Sequence, residues 1–268
     1  MQGVLTKMGF NNTGDEYNIR PEYYINLDSE RVNLSELIGR KIGMVYQNIN
    51  RCIHCGRETK KLFGQGFCYP CFIRVPEAEE CVLRPELCRA HEGIARDMDF
   101  AKANCLVQHY VYLAWTGGIK VGVTRYHQIP TRWVDQGATF AIKLCKTPNR
   151  YTAGIVEVEL KKIFADKTAW QRMLTDISEL PPDFLSIKAK ALEFINGKDL
   201  SYIPESDAVY RISYPIVQFP EKVRSVNLEK ASTIEGTLMG IKGQYLIFES
   251  GIVINIRNHS GYLVELTY

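Results

Sequence analysis

Four cysteines with regular spacing are the residues whose chemistry this sequence defines most clearly. They form two Cys-x-x-Cys pairs, Cys52 with Cys55 and Cys68 with Cys71, with twelve residues between the pairs. Thiolates are preferred ligands of tetrahedral zinc, and two such pairs are typical of a zinc ribbon. Because sulfurs from the protein would fill all four positions, we predict a closed, structural zinc site.

A second and less regular group of metal-ligating residue types follows. It offers five candidates, Cys81, Cys88, His91, Cys105 and His109. We predict a second zinc site built from Cys81, Cys88, Cys105 and His109, with His91 as the reserve ligand. The alternative is that these cysteines are buried and act as small apolar residues. The remaining cysteine, Cys145, lies in a strand pattern and is predicted to be a core residue.

The segment from 107 to 170 contains a third set of reactive side chains. A tyrosine lies in a short aromatic strand, a lysine in the next strand, and an arginine and a glutamate on later helices. Together such groups can bind a phosphodiester and a metal ion. The sequence between Leu106 and Ala165 contains eight lysines and arginines but only three acidic residues. This surplus suits a polyanionic partner, but it fits a solvated lysine face equally well.

The elements that must position these residues can be predicted from apolar periodicity and turn signals. A Gly-Gly turn joins the first two strands, and apolar residues at helical spacing mark the fifth and sixth elements. The predicted elements are strands Val111–Trp115 and Ile119–Thr124, helix Thr131–Gln136, strand Thr139–Lys146, and helices Tyr151–Phe164 and Lys167–Ile177. The order is therefore β-β-α-β-α-α.

The rest of the chain flanks this segment with β-rich regions and predicts an α+β fold. Residues 1–50 and the end of 181–268 both alternate strand patterns with glycine-rich separators, as in a β-barrel or sandwich. A helix is predicted over Phe184–Ile195. We predict four regions: an N-terminal β region (1–50), a zinc ribbon (51–80), the second cluster with the α/β core (81–180), and a helix with a C-terminal β region (181–268). A short similarity between the two ends suggests the hypothesis that the terminal regions pack together.

The order of elements in the core resembles that of the GIY-YIG nuclease superfamily, over about a quarter of the chain. Val111-Tyr112 lies where the first signature tripeptide ends, and Lys120-Val121-Gly122 lies at the second. Arg132 matches the catalytic arginine and Glu157 matches the metal-binding glutamate. The whole chain is similar to an uncharacterised bacterial family that joins a zinc ribbon to such a core.

The resemblance implies phosphodiester hydrolysis with a divalent metal. In that reading Arg132 holds the phosphate, Glu157 binds Mg²⁺ or Mn²⁺, and Tyr112 orients or activates water. Lys120 stands where the family often has a second tyrosine, and it could position phosphate or act as a base. A histidine frequent one turn after the arginine is here Gln136, which cannot transfer protons. The residues expected to contact nucleic acid are Arg125, His127, Arg150 and Lys161.

Each of these residues could also have a simpler, non-catalytic role. Arg132 can be a surface cation, and Tyr112 can be a core aromatic residue. Glu157 can pair with Lys161 four positions later on an exposed helix face.

Composition restricts the class of protein and its expected compartment. The chain has 268 residues, of which 46% are hydrophobic and 24% charged, as in an ordinary globular protein, and a net charge of +3. The segment Met1–Phe10 has no apolar core of signal-peptide length, and no apolar run reaches the length of a membrane span. We therefore expect a cytoplasmic protein without a membrane partner. Eight cysteines in such a chain indicate metal binding rather than disulfides.

Three functions follow from these observations. The first is a metal-dependent endonuclease acting on DNA or RNA, with Tyr112, Lys120, Arg132 and Glu157 at its centre. The second is a non-catalytic, zinc-containing nucleic-acid-binding protein. The third is a structural protein whose zinc ions only stabilise a modest core. The sequence leaves the oligomeric state open.

Overall fold

The computed structural model describes residues 1–165, 168–178 and 180–268 of this α+β protein. The chain divides into two compact units. The terminal unit comprises Met1–Ile73, Leu174–Ile177 and Ser213–Tyr268, and the central unit comprises Arg74–Met173 and Ser178–Ile212. No helix in the described part of the chain combines the length and the apolar character needed to cross a membrane.

Strands and helices alternate along much of the chain. The strands are β1 (Gln2–Val4), β2 (Gly9–Asn12), β3 (Asn18–Ile19), β4 (Pro21–Leu27), β5 (Glu30–Asn33), β6 (Lys41–Asn50), β7 (His109–Trp115), β8 (Ile119–Arg125), β9 (Phe140–Thr147), β10 (Ile203–Pro204), β11 (Val209–Ile212), β12 (Arg224–Ser225), β13 (Thr233–Lys242), β14 (Tyr245–Phe248), β15 (Ile252–Asn255) and β16 (Tyr262–Thr267). The α-helices are α1 (Tyr69–Phe72), α2 (Met98–Asn104), α3 (Thr131–Asp135), α4 (Arg150–Leu160), α5 (Trp170–Thr175) and α6 (Phe184–Ile195). Short 3-10 helices cover Ser35–Leu37, Pro76–Ala78, Glu80–Val82, Pro85–Leu87, Ala90–Glu92, Tyr126–Gln128 and Ile256–His259.

The terminal unit is built around a sheet to which both ends of the chain contribute. Its strand order is β1-β16-β6-β13-β14-β15-β12, and neighbouring strands are antiparallel except for β12 and β15. β16 lies between β1 and β6, so the last strand is paired on both sides. Consecutive apolar residues such as Leu246, Ile247 and Phe248 on β14 are all buried, which is the pattern expected where both faces of a strand are covered.

The terminal β regions do not form the barrel that the strand pattern suggested. The two edge strands, β1 and β12, do not pair with each other, so this sheet is open in the described part of the chain. Strands β2, β4 and β5 form a separate three-stranded sheet. A barrel needs continuous pairing around its circumference, and the split of these strands between sheets prevents it.

The central unit has an antiparallel sheet with β7 at its centre. β7 pairs with β8 on one side and β9 on the other, and β9 also pairs with β10 and β11. One face of the sheet carries Val111, Leu113 and Val121, which pack with residues of α4 and α6 such as Val156 and Ile195. Because side chains alternate along a strand, Tyr112 and Lys120 lie on the opposite face.

The elements of the central unit follow in the order β7, β8, α3, β9, α4, α5, which agrees with the predicted order of types. α6 covers the predicted range Phe184–Ile195. α4 ends at Leu160, four residues before the predicted end, because Ala165 forms a bridge to Lys120 on β8 instead of continuing the helix. The last predicted helix is shorter than expected, and its predicted start, Lys167, lies outside the described residues.

Candidate functional site

The first four cysteines converge in a geometry that fits one zinc ion. The sulfurs of Cys52, Cys55, Cys68 and Cys71 all lie within 4.8 Å of one another. The Sγ atoms of Cys55 and Cys68 are 3.8 Å apart. Tetrahedral zinc with bonds of about 2.3 Å would place its sulfurs about 3.8 Å apart, whereas a disulfide needs about 2 Å. This cluster could therefore hold zinc, and its four sulfurs would leave no open position.

The second cluster contains three cysteines. The sulfurs of Cys81, Cys88 and Cys105 lie within 4.8 Å of one another, and all three residues are buried. Arg150 is buried beside them, and its Nη1 donates to Cys81 Sγ at 3.6 Å. Hydrogen bonds from the Cys105 and Cys81 thiols lower the pKa of Cys88, which favours a thiolate and thus metal binding. This cluster could also hold a zinc ion.

The structure does not place the two candidate histidines in this second cluster. His109 Nδ1 donates to the Val107 carbonyl at 2.7 Å, and burial lowers the pKa of His109 to about 4, so its ring is neutral. His91 stacks on Tyr151, with ring centroids 4.3 Å apart. Each histidine has a local contact that orients its ring. Among the described residues, the group whose ligand atoms lie within 4.8 Å of one another consists of the three sulfurs. All eight cysteines are free, and Cys145 is a buried core residue.

Tyr112, in the middle of β7, belongs to the third group of candidate residues. It is fully buried, and its hydroxyl donates to Gln136 Oε1 at 2.8 Å. The Arg132 side chain is within hydrogen-bonding reach of the same hydroxyl. Burial raises the pKa of Tyr112, so the phenol is protonated at neutral pH. Gly122 on β8 makes room for this arrangement, because a Cβ atom there would lie 2.6 Å from the Tyr112 hydroxyl.

Lys120 is a buried cation on the neighbouring strand. It is only 9% exposed, and its side chain forms no hydrogen bond or ion pair with any of the described residues. Burial and the nearby positive charge of Arg132 lower its pKa to about 8. Buried charges are normally paired, so an unpaired lysine next to an arginine marks a position where an anion can bind.

Glu157 brings a carboxylate to the same region from α4. It is 8% exposed, and burial raises its pKa, while the charges of Lys161 and Arg132 oppose that shift. Lys161 Nζ lies 3.3 Å from Glu157 Oε2, so the predicted pairing four residues apart is present. The helix face is nevertheless buried rather than exposed. The charge of Glu157 also raises the pKa of Tyr112.

Arg132 is therefore the residue that interacts electrostatically with each of the other three. Its charge acts on Tyr112, Lys120 and Glu157, which come from three different elements. Its Nε atom is buried and has no hydrogen-bond acceptor among the described residues. A guanidinium with an unused buried donor can accept an anionic ligand.

The four residues expected to contact nucleic acid have different environments. His127 is exposed in the 3-10 helix Tyr126–Gln128. Arg125 is half-buried, and its pKa is lowered by burial and by the charge of Arg150. Arg150 is buried, donating to Cys81 and to the Asn104 carbonyl, so it serves the second cluster instead of an outer surface. Lys161 is paired with Glu157.

Two residues near this site were not among the sequence candidates. Gln136, which appeared only as a departure from the family pattern, holds the Tyr112 hydroxyl. Glu86 lies near Glu157 and adds to the upward shift of its pKa. Its position between Cys81 and Cys88 is the only signal in the sequence, because a loop tied down by metal ligands can place a neighbouring side chain precisely.

The fold and these sites define an α+β protein with two cysteine clusters that could each hold zinc and a separate, partly buried group of charged residues. The chain belongs to the DUF2797 family, described as a protein of unknown function, whose family model matches residues 39–264. Neither a curated protein nor a solved structure matches the chain.

Proposed function

We propose that this protein is a divalent-metal-dependent endonuclease of GIY-YIG type, which hydrolyses phosphodiester bonds in nucleic acid. The observation that carries the proposal is the buried Lys120, which pairs with none of the residues that the structure describes, beside Arg132, whose charge also acts on Glu157. Cations for a phosphate and a carboxylate for a metal ion are the two requirements of such a reaction.

The charge arrangement favours a phosphate ligand. Burial lowers the pKa of Lys120, and repulsion by the positive charge of Arg132 lowers it further. Holding two like charges in a buried place is unfavourable unless an anion binds between them. The planar guanidinium of Arg132 can bond two oxygens of one phosphate group, and Lys120 adds a point charge.

Lys120 and the solvent can together account for the proton transfers of this reaction. With a pKa of about 8, part of the Lys120 population is neutral near pH 7, so Nζ can take a proton from the attacking water. As the water oxygen bonds to phosphorus and the bond to the leaving oxygen breaks, Arg132 stabilises the added negative charge. The leaving oxygen takes its proton from solvent. Tyr112 is protonated and positions Arg132 through its hydroxyl.

Glu157 would be the residue that holds the divalent metal. A bound Mg²⁺ or Mn²⁺ would supply positive charge at the phosphate oxygens. The carboxylate is suited to this because Mg²⁺ needs few protein carboxylates and keeps most of its waters.

Cleavage of labelled oligonucleotides tests the proposal. The zinc-loaded protein is incubated with Mg²⁺ or Mn²⁺ and with single-stranded, duplex and branched DNA and RNA. We expect cleavage by the parent protein and a loss of about 100-fold or more in Glu157→Gln and Arg132→Ala. The control is Lys162→Gln, which removes an exposed lysine paired with Glu159 and should cleave like the parent.

The outcomes separate the candidate functions. Cleavage that persists unchanged in Glu157→Gln would show that the activity belongs to a contaminant or another site. Binding of the oligonucleotides without cleavage would favour the non-catalytic nucleic-acid-binding alternative. Neither binding nor cleavage would overturn both.

A further inference from the structure

Helix α4 and the 3-10 helix Pro85–Leu87 approach each other unusually closely at Gly154. A Cβ atom at Gly154 would lie 2.2 Å from the Glu86 backbone nitrogen and 2.5 Å from the Pro85 carbonyl carbon. Residues three apart on a helix share one side, so Gly154 and Glu157 both face this contact. The close approach therefore brings Glu86 beside Glu157, in agreement with the effect of its charge on Glu157.

Glu86 has an oxygen without a partner. Its Oε1 accepts from Arg84 Nε at 3.3 Å, whereas its Oε2 is buried and has no donor among the described residues. A buried polar atom without a hydrogen bond is unfavourable, unless a ligand satisfies it. The unused oxygen thus points to a ligand that interacts favourably with carboxylates.

Arg132, whose charge acts on Glu157, does not donate to that oxygen. Its buried Nε has no acceptor among the described residues, and the Lys120 side chain, 9% exposed, forms no hydrogen bond or ion pair within that part of the chain either. Glu157 pairs with Lys161 and Glu86 with Arg84, so the atoms left for a ligand are Glu86 Oε2 and Arg132 Nε, which carry opposite charge. A divalent cation on the carboxylate side and a phosphate on the cationic side would satisfy both sets.

The second cysteine cluster explains how Glu86 is held there. Glu86 lies between Cys81 and Cys88, two sulfur ligands whose side chains converge. A zinc ion bound by these sulfurs would fix both ends of the segment that carries Glu86. The cluster would then act as a support for the charged site next to it.

We propose that Glu86 is, together with Glu157, a ligand of the divalent cation in this site, held in place by the segment between Cys81 and Cys88. This inference rests on the proposed function and adds to it a residue from the cysteine-rich part of the chain. The cation is of the hard, oxygen-preferring class, such as Mg²⁺ or Mn²⁺.

Titration of the zinc-loaded full chain with Mn²⁺, followed by the electron paramagnetic resonance signal of free Mn²⁺, tests the inference without relying on activity. We expect the parent to bind one Mn²⁺, and both Glu86→Gln and Glu157→Gln to weaken binding by about 10-fold or more. Glu92→Gln is the control, because Glu92 lies just after Cys88, outside the segment that carries Glu86, is exposed and pairs with Arg89 at 2.8 Å. It should bind Mn²⁺ like the parent.

Zinc content and thermal unfolding are measured for each variant to show that the fold is intact. If Glu86→Gln loses zinc or unfolds, Glu86→Asp replaces it. That variant keeps the charge but shortens the side chain, and we expect it to bind Mn²⁺ more weakly than the parent. Parent-like Mn²⁺ affinity in the folded Glu86 variant would overturn the inference, as would a parent protein that binds no Mn²⁺.

The cleavage assay distinguishes this failure from failure of the proposed function. If both glutamate variants lose Mn²⁺ affinity but the parent cleaves no nucleic acid, the cation site stands and the nuclease proposal fails. If cleavage requires Glu157 while Glu86→Gln keeps parent-like cleavage and Mn²⁺ affinity, the nuclease proposal stands and the role of Glu86 fails.

Discussion

A single residue, Lys120, shows most clearly how chemistry and stability oppose each other in this site. Its side chain is buried without a counter-ion in the described part of the chain, and burial lowers its pKa to about 8. The folded state therefore holds the lysine proton less tightly than the unfolded state does. Below pH 8 both states are charged and the folded protein carries the full penalty. As the pH rises from about 8 towards 10.5, the folded state loses its proton first and the penalty disappears.

Replacement of Lys120 should therefore stabilise the protein while abolishing its function. We expect Lys120→Met to raise the free energy of unfolding by about 1–3 kcal/mol at pH 7, because the penalty for burying the charge is removed. The gain should shrink as the pH rises above 8. Urea unfolding at several pH values measures it, with the exposed Lys190→Met as the control. A loss of stability at pH 7 would contradict this account.

The pair formed by Tyr112 and Gln136 makes a second prediction at the residue scale. The buried hydroxyl donates to Gln136 Oε1 at 2.8 Å, so Gln136→Leu leaves that hydroxyl without this acceptor. We expect a loss of about 1–3 kcal/mol in the free energy of unfolding for Gln136→Leu. In a double-mutant cycle with Tyr112→Phe, the second replacement should cost less than it does alone, with a coupling of about 1 kcal/mol. Strictly additive effects would mean that the hydrogen bond does not contribute.

Among the secondary-structure elements, the contact of α4 with the Pro85–Leu87 segment depends on one glycine. Exposed helix positions usually gain about 1 kcal/mol when glycine becomes alanine. At Gly154 the new methyl group would lie 2.2 Å from backbone, which cannot move aside as a side chain can. We expect Gly154→Ala to lower the free energy of unfolding by about 1–3 kcal/mol. Chemical denaturation measures the effect, and a stabilised Gly154→Ala protein would rule out the close contact.

The control for this prediction lies on the same helix. Val158 is exposed on α4, so Val158→Ala should change the free energy of unfolding by less than about 0.5 kcal/mol. The two variants together separate helix propensity from packing. Mn²⁺ affinity should fall in Gly154→Ala, because a displaced Pro85–Leu87 segment moves Glu86 away from Glu157.

The elements that sequence reasoning located well are those with local signals. Helix α6 has apolar spacing within its own twelve residues, and its bounds agree with the prediction. The four ribbon cysteines also lie close in sequence and converge as expected. The predicted end of α4 was wrong because the observed end is set by the bridge between Ala165 and Lys120, which lie far apart in the chain.

The same difference between local and distant signals applies to the candidate site. Arg132, Lys120 and Glu157 could be selected from residue type and order, and the charge of Arg132 acts on both of the other two. The hydrogen bond of Gln136 with Tyr112 spans 24 positions, and the place of Glu86 depends on a glycine 68 positions later. Such contacts follow from packing, so a sequence pattern cannot supply them.

At the scale of the whole molecule, the two cysteine clusters belong to different compact units. Cys52, Cys55, Cys68 and Cys71 belong to the terminal unit, while Cys81, Cys88 and Cys105 belong to the central unit. The first cluster has a complete set of sulfur ligands, and the second has three. The charged site lies in the central unit, next to the second cluster. Loss of one metal should therefore have different consequences from loss of the other.

Zinc analysis of cysteine variants provides the prediction for the whole molecule. We expect two zinc ions per chain in the dialysed parent, and one each in Cys55→Ala and Cys88→Ala. Only Cys88→Ala should also lower the Mn²⁺ affinity, because it releases one end of the segment that carries Glu86. Cys145→Ala is the control and should retain both zinc ions, since Cys145 is a core residue of the central sheet. Elemental analysis with Mn²⁺ titration measures both quantities. A Cys88→Ala protein with two zinc ions would show that the three sulfurs bind no metal, and parent-like Mn²⁺ affinity after the loss of that zinc would separate the cluster from the charged site.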